Sequence, residues 1–379
     1  MTSMAGDIKI AFVGDVTPGG VFYRTGGISQ EVLGYLHSFD IRVGTLESAF
    51  GDGSQLCHIK MADPKLATCI YSPDEMVKML KEMRLDAVSL ANNHSCDCDL
   101  DGLYHTMEVL DKAGIAHFGA GHNSEEASTP AILHHQGKSI CLLGYLQEYE
   151  YLYRGEGYHP TENRGGLNIY SLKKAITDIK KYKKLYDYVI VMPHWGMEQS
   201  AIPLYQEALD AKRMIEEGAD GVIGSHAHIV QPAIDYKGHV LAMNLGNFAF
   251  PDRYVIPPRI SYYPSEEELG QDVPVIHSFK LVDKLSLKVV AEKERLGAIL
   301  GLELRATSSL HELRYTQLTA ANEIVFVAPS VSYIWKMSML GSLVGGHLSI
   351  LLWILNLKAR MPYIIVGVLK KMRRIIGKK

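Results

Sequence analysis

The chain has 379 residues, of which 47% are hydrophobic and 21% charged, a balance that excludes a disordered or fibrous protein and leaves room for one large domain with an appendage. Charge is unevenly spread: residues 1–357 carry 31 Lys and Arg against 42 Asp and Glu, whereas 358–379 carry eight basic residues and no acidic one. An acidic body speaks against a nucleic-acid partner, which needs a basic face to neutralise phosphates.

Cys57, Cys69, Cys96, Cys98 and Cys141 are odd in number and lack a disulfide-framework or zinc-ribbon spacing, so a reducing, cytoplasmic compartment is expected. The opening MTSMAGDIKIAFVGD has no charged stretch followed by an apolar one, and no secretory signal is expected.

In chain order, short apolar runs alternate with helix-period stretches, which is how βαβ-type sheets are written. Strands are predicted at Ile8–Val13, Ile41–Leu46, Leu85–Ala91, Ile140–Leu146, Tyr188–Met192, Gly221–Ile223 and Val240–Asn244. Helices are predicted over Pro73–Arg84, Leu103–Ala113 with Gly114 as the stop, and Pro203–Gly218. The class expected is α/β. Residues 251–274 hold four prolines before 270 and a Ser-Glu-Glu-Glu run, and read as a long surface loop, a candidate lid. Val275–Lys280 and Leu287–Ala291 are expected to close the domain, residues 1–300, as an antiparallel pair. Residues 301–336 read as a helical connector, the helical pattern running from 302 to 326.

Met337–Leu357 is a run of 21 residues without formal charge, matching the roughly 20 that span a bilayer. Glycines and His347 interrupt it. The following KARMPYIIVGVLKKMRRIIGKK mixes apolar residues with Lys and Arg as interfacial helices do. Residues 337–379 are therefore expected to be a helical tail lying on an anionic membrane surface; packing of 337–357 on the domain or a partner is the alternative.

Metal-ligand types follow the predicted strands: Gly14-Asp15, Thr45-Leu46-Glu47, Asn92-Asn93-His94, Pro193-His194-Trp195 and Ser225-His226-Ala227-His228. In open α/β sheets, sites assemble at the carboxyl ends of strands. A lone Asp there is more often a turn or cap residue. His-x-His is stronger, because alternate residues of an extended segment share a face and imidazole suits Zn²⁺, Mn²⁺ or Fe²⁺. Cys96 and Cys98 offer a sulfur-ligated zinc as a weaker alternative to a small apolar role. Trp195 has two readings, stacking on a substrate or burial beneath the site.

Six stretches in order, IAFVGDVTPGG, GTLESAF, VSLANNH, VMPHWGMEQS, GADGVIGSHAHIVQP and LAMNLGNFAF, resemble the successive motifs of the CapA family. That family is named for poly-γ-glutamate capsule synthesis and is related to the calcineurin-like metallophosphatases. The resemblance covers about residues 8–250 and implies a layered sandwich of mixed β-sheets flanked by helices. It implies Asp15 as first metal ligand, Glu47 as a carboxylate able to bridge two metals, Asn93 as an amide ligand, and imidazoles from His194, His226 and His228. His94 matches a general acid, while Asn92, Trp195, Glu198 and Asn247 match the surroundings of the site.

Three positions depart from the pattern. Thr17 stands where a ligand histidine is expected, Thr45 where Asn is usual, and Asp97-Cys98-Asp99 where Asp-x-Gly is usual. One or two divalent ions, Mn, Fe or Zn, are therefore expected. The function implied is metal-dependent hydrolysis or transfer in making, trimming or anchoring an anionic polymer, beside a membrane-bound synthase. A non-catalytic assembly subunit of such a complex is the alternative.

Overall fold

The computed structural model describes residues 7–63, 68–148, 157–277 and 281–346, together with Leu355. Two sheets stack on one another. The first runs in the order Gly27–Ile28, Glu323–Phe326, Ser309–Leu318, Leu296–Leu304, Ile8–Val16, Ile41–Leu46, Ala87–Ser89 and Ala116–Phe118, with Asn247–Ala249 added beside Ile8–Val16. The second runs Ala233–Tyr236, His239–Ala242, Gly221–Ile223, Tyr188–His194, Lys138–Leu146 and Ala131–His135.

The period-two rule of strands explains the stacking. Ile8, Ile10 and Phe12 enter a core shared with Ile140, Leu142, Ile190 and Met192 of the other sheet. Their neighbours Ala11 and Val13 face the opposite way, onto Val32, Leu36, Leu103 and Leu110 of flanking helices. Cys141, Leu143, Val189 and Val191 likewise turn outward onto Ala175, Ile179, Ala211 and Met214. Strands covered on both faces read as continuous apolar runs, which is why these were legible in sequence. The α/β class and the layered, mixed sheets are as expected: Ile8–Val16 pairs parallel with Ile41–Leu46 and antiparallel with Leu296–Leu304.

Helix ends follow local chemistry. Asp99–Ala113 has Asp99 and Asp101 in its first turn and stops at Gly114, whose φ of 73° is the left-handed cap. Ser171 caps Leu172–Tyr182 by accepting from Lys174 N.

Three expectations are corrected. The stretch 302–326 is not helical, because Leu296–Leu304, Ser309–Leu318 and Glu323–Phe326 are strands of the first sheet. Its Leu, Glu, Arg and Gln are helix formers by propensity, but Leu300, Leu302 and Leu304 alternate into the core between the sheets, and tertiary burial overrides propensity. Residues 251–274 contain strands Arg253–Ile256 and Ile260–Ser261 and the short helix Glu266–Leu269, whose Ser265 and Glu268 form a capping box. Third, Val275–Ile276 pairs with Ser286–Lys288 in parallel, and the antiparallel partner of Ser286–Lys288 is Arg253–Ile256; residues 278–280 lie outside the described residues.

The expected tail divides. Val331–Gly345 is a helix whose Met337, Leu340, Leu343 and Val344 are buried in the core of the second sheet, so 337–345 belongs to the fold. The remainder of 337–379, Gly346 and Leu355 excepted, lies outside the described residues. No helix among the described residues is long and apolar enough to cross a membrane.

Gly14 marks a tight approach next to Asp15. A Cβ there would stand 1.9 Å from the Gly246 carbonyl oxygen. Gly14→Ala is expected to lower stability by about 3 kcal/mol, the upper end for overpacking, measured by urea denaturation; a wild-type midpoint would show that the backbone gives way freely.

Candidate metal centre

The two sheets bring their parallel strand ends to one rim. Asp15 sits in Ile8–Val16 where the pairing slips against both neighbouring strands, a bulge that re-aims a side chain. Glu47 follows Ile41–Leu46, Asn93 follows Ala87–Ser89, His194 ends Tyr188–His194, and His226 and His228 follow Gly221–Ile223.

These side chains converge. Glu47, His194 and His226 form one group, and Asp15, Glu47 and His228 a second, with the ligand atoms of each within 4.8 Å of one another. Glu47 Oε1 lies 3.7 Å from both His194 Nε2 and His228 Nε2. His228 Nδ1 is 3.5 Å from Asp15 Oδ2. Asn93 Oδ1 stands 2.7 Å from His194 Nε2, with His226 Nδ1 3.0 Å from the same nitrogen. All six residues are buried.

The His-x-His geometry differs from expectation. Residues 226–229 form a bend rather than an extended segment, and His226 and His228 have φ of 96° and 55°. Non-glycine residues in this region carry strain of order 1–3 kcal/mol, and at His226 the backbone N–H donates to the Asp15 carboxylate at Oδ2, 3.3 Å away. The turn, not alternation, brings both rings inward.

The donor set fits a divalent cation. Asp15 Oδ1 and both carboxylate oxygens of Glu47 are buried without a hydrogen-bond partner among the described residues, a costly state for carboxylates unless a cation compensates. Burial, reinforced by Asp15, pushes the Glu47 carboxyl well above its usual range. Against the downward pull of burial, Glu47 and Asp15 lift His228 to about 10, whereas burial holds His194 and His226 well below the usual imidazole value. Neutral imidazoles are the ligating form.

Surrounding residues hold these groups in place. His194 Nδ1 is 2.8 Å from Ser225 Oγ, which in turn accepts from Thr45 Oγ1 at 3.3 Å. Asn247 Oδ1 is 2.8 Å from His228 Nδ1, and Asn247 Nδ2 donates to the Glu294 carbonyl at 3.1 Å. Partners of this kind orient metal ligands. Asn92 points away from the centre: its Nδ2 donates to Leu46 O at 2.7 Å and its Oδ1 accepts from His94 N at 3.0 Å, tying two site loops together. Thr17 Oγ1 donates to Glu47 O at 3.0 Å, a structural use of the position where a ligand histidine is expected. Trp195 is 1% exposed and packs edge-on to Tyr170 at 5.7 Å, beneath the site. Glu198 is exposed at the rim.

His94 faces the centre, its Nε2 4.0 Å from Glu47 Oε1 and its Nδ1 2.6 Å from Asp97 Oδ2. Burial pushes its imidazole down to about 4 against the pull of Asp97. The neutral ring therefore donates from Nδ1 to Asp97 and presents Nε2 as an acceptor, and it can act as an acid only after taking up a proton.

Two residues were missed by sequence reasoning. Asp97 is fully buried and accepts from Ile70 N at 2.5 Å. Lys60, also buried, makes a short ion pair with Asp97 Oδ1 and donates to Asn93 O at 2.8 Å. A lysine in HIKM carries no local signal of burial. Cys57, Cys69, Cys96, Cys98 and Cys141 are free and buried, and burial lifts the Cys98 thiol to about 12, which suits a packing role rather than zinc ligation.

The fold and site thus define an α/β protein with a buried carboxylate–imidazole cluster whose donors could hold a metal ion. The chain belongs to the bacterial capsule synthesis protein family, PGA_cap, whose profile matches residues 9–252. It is 28% identical over 250 residues to the PGA biosynthesis protein CapA of Bacillus subtilis strain 168, covering 64% of this chain and 63% of that one. It is 31% identical over 185 residues to the capsule biosynthesis protein CapA of Bacillus anthracis, covering 48% and 44%. The matches thus span less than two thirds of these relatives. Among solved structures, 5'-nucleotidase from Candida albicans SC5314 superposes with a TM-score of 0.40 at 9% identity, over 96% of this chain and 59% of that one.

Lys60→Met leaves Asp97 buried without its cation and is expected to cost about 3–5 kcal/mol, read by chemical denaturation. A loss below about 1 kcal/mol, the scale of an exposed pair, would show that Asp97 is neutral in the fold.

Proposed function

We propose that this chain is a metal-dependent hydrolase or transferase acting in the synthesis, trimming or anchoring of an anionic cell-surface polymer, of the poly-γ-glutamate or capsular polysaccharide kind. The observation that carries the metal dependence is the buried pair Asp15 and Glu47, with three carboxylate oxygens unpartnered among the described residues and three imidazoles facing them. The polymer rests on family membership and on the printed names of the Bacillus relatives.

Carboxylate, amide and imidazole donors suit Mn²⁺, Fe²⁺ or Zn²⁺. Asp15, Glu47 and His228 would hold one ion and Glu47, His194 and His226 another, with Asn93 at the second. When bound, such an ion supplies Lewis-acid polarisation and a nucleophilic water at neutral pH. The protein's own part is orientation and proton handling: Asn247 and Ser225 fix the imidazoles, and His94, backed by Asp97, can relay a proton to the leaving oxygen.

His226→Ala/His228→Ala is expected to lose bound metal, measured by plasma mass spectrometry, and with it hydrolysis of a generic phosphodiester. A wild-type protein that takes up neither Mn²⁺ nor Zn²⁺ and turns nothing over would favour a non-catalytic assembly subunit.

The same reading includes attachment to an anionic membrane surface, at the cytoplasmic face and beside a membrane-bound polymer synthase. Its support is the run of eight basic and no acidic residues in 358–379 and the exposed apolar stripe Val331, Trp335 and Met339 on the last described helix. Because 337–345 is part of the core, the chain should be cut after Gly346. That form is expected to lose co-sedimentation with phosphatidylserine vesicles that the full chain shows; equal sedimentation of both would end the tail's role.

A further inference from the structure

Arg253 opens the strand Arg253–Ile256, in the segment first read as a loop. The residue is 5% exposed, and its Nη1 has no hydrogen-bond partner among the described residues. A buried guanidinium with an idle donor is an expensive arrangement. The adjacent acid does not serve it: Asp252 accepts from Val290 N at 2.8 Å, Arg295 Nη2 at 3.2 Å and Asn322 Nδ2 at 3.0 Å. Directly opposite Arg253 across the antiparallel pair stands Lys288, and like charges facing one another on paired strands repel. Glu294, 7% exposed with Oε1 unpartnered among the described residues, is the buried acid on this side.

The position is beside the metal centre. Arg253 Cζ lies 5.0 Å from the centre of the Phe250 ring, and that ring lies 5.0 Å from the His228 ring. One aromatic side chain therefore separates the guanidinium from a metal ligand. Gly20 leaves it room, since a Cβ at this residue, with φ of 59°, would stand 2.9 Å from Arg253 Cγ. Burial draws the guanidinium down while Glu47 among the carboxylates pulls hardest the other way, followed by Asp97 and Glu294. Burial, with Arg253 adding to it, brings Lys288 down to about 7. An anion held by the two side chains would relieve both effects.

We propose that Arg253, assisted by Lys288, forms an oxyanion subsite beside the metal centre that holds a carboxylate or phosphate group of the substrate. This rests on the metal-dependent reading above and narrows it. The planar fork of a guanidinium matches both oxyanions. A substrate bearing an anionic group next to the reacting one, such as an acidic polymer or a phosphodiester, satisfies Arg253, whereas a neutral glycan leaves it buried and unpaired.

The test titrates glutarate and, separately, inorganic phosphate into the full-length Mn²⁺-loaded protein by calorimetry, for wild type, Arg253→Gln and Arg253→Lys. Metal content is measured alongside. The expected result is binding of at least one anion by wild type, weakened roughly ten- to a hundredfold in Arg253→Gln, the loss of a charge-assisted hydrogen bond, with metal content unchanged and partial recovery in Arg253→Lys. Glutarate alone would mark a carboxylate site and phosphate alone a phosphoryl site. Wild-type affinity in Arg253→Gln, or no binding of either anion by wild type, would overturn the subsite. Should Arg253→Gln fail to fold, Lys288→Gln replaces it, with weakened binding expected and unchanged affinity overturning the proposal. Arg253-dependent binding in a protein that takes up no metal would end the metal reading and leave the subsite standing.

Discussion

Two carboxylates that water cannot reach govern this structure. Asp15 and Glu47 stand at the rim where the sheets meet, fully buried, and ionised acids in such a place must be compensated. The surrounding architecture answers that demand. The strand Ile8–Val16 slips register at Asp15, the chain turns left-handed at His226 and His228, and Asn93 meets His194 from across the other sheet. Each departure from regular structure aims a donor at the same point.

A second buried charge system supports the first. Lys60 and Asp97 pair beneath the Asn92–Asn93–His94 turn, Lys60 holding the Asn93 carbonyl and Asp97 the His94 ring. An ion pair in the interior adds little net stability when intact but fixes geometry, because any displaced arrangement strands a charge. The side chains at 93 and 94 thus have a rigid floor, as positioned chemistry requires. Asn247 holds the His228 ring, and the paired strands Arg253–Ile256 and Ser286–Lys288 carry Arg253 near it. The last described helix reaches the site as well, Tyr333 OH donating to Val230 O at 3.2 Å, two residues after His228.

Legibility in the sequence followed burial symmetry. Ile41–Leu46 and Gly221–Ile223 were placed to the residue because strands buried on both faces read as uninterrupted apolar runs. Ser309–Leu318 was misread because one of its faces meets solvent, so polar helix formers alternate along it. Residues 251–274 read as a loop in the sequence because their strands are short and flanked by proline. The uncharged run at 337 was assigned to a tail because apolar content alone does not separate a helix that packs on a sheet from one that meets lipid.

The sequence by itself determined the α/β class, the central strands and the ligand types after them, because strand periodicity and the order of motifs are local properties. It also determined the charge asymmetry between body and C-terminus. Only the tertiary structure decided which donors share a centre, that Asn92 and Trp195 support it from beneath, and that Lys60, Asp97 and Arg253 belong to its surroundings. Those relations join residues far apart in the chain, and burial of a charged side chain leaves no mark on the residues next to it. What makes Arg253 informative is a buried guanidinium nitrogen with no hydrogen-bond partner among the described residues, a property of three-dimensional packing alone.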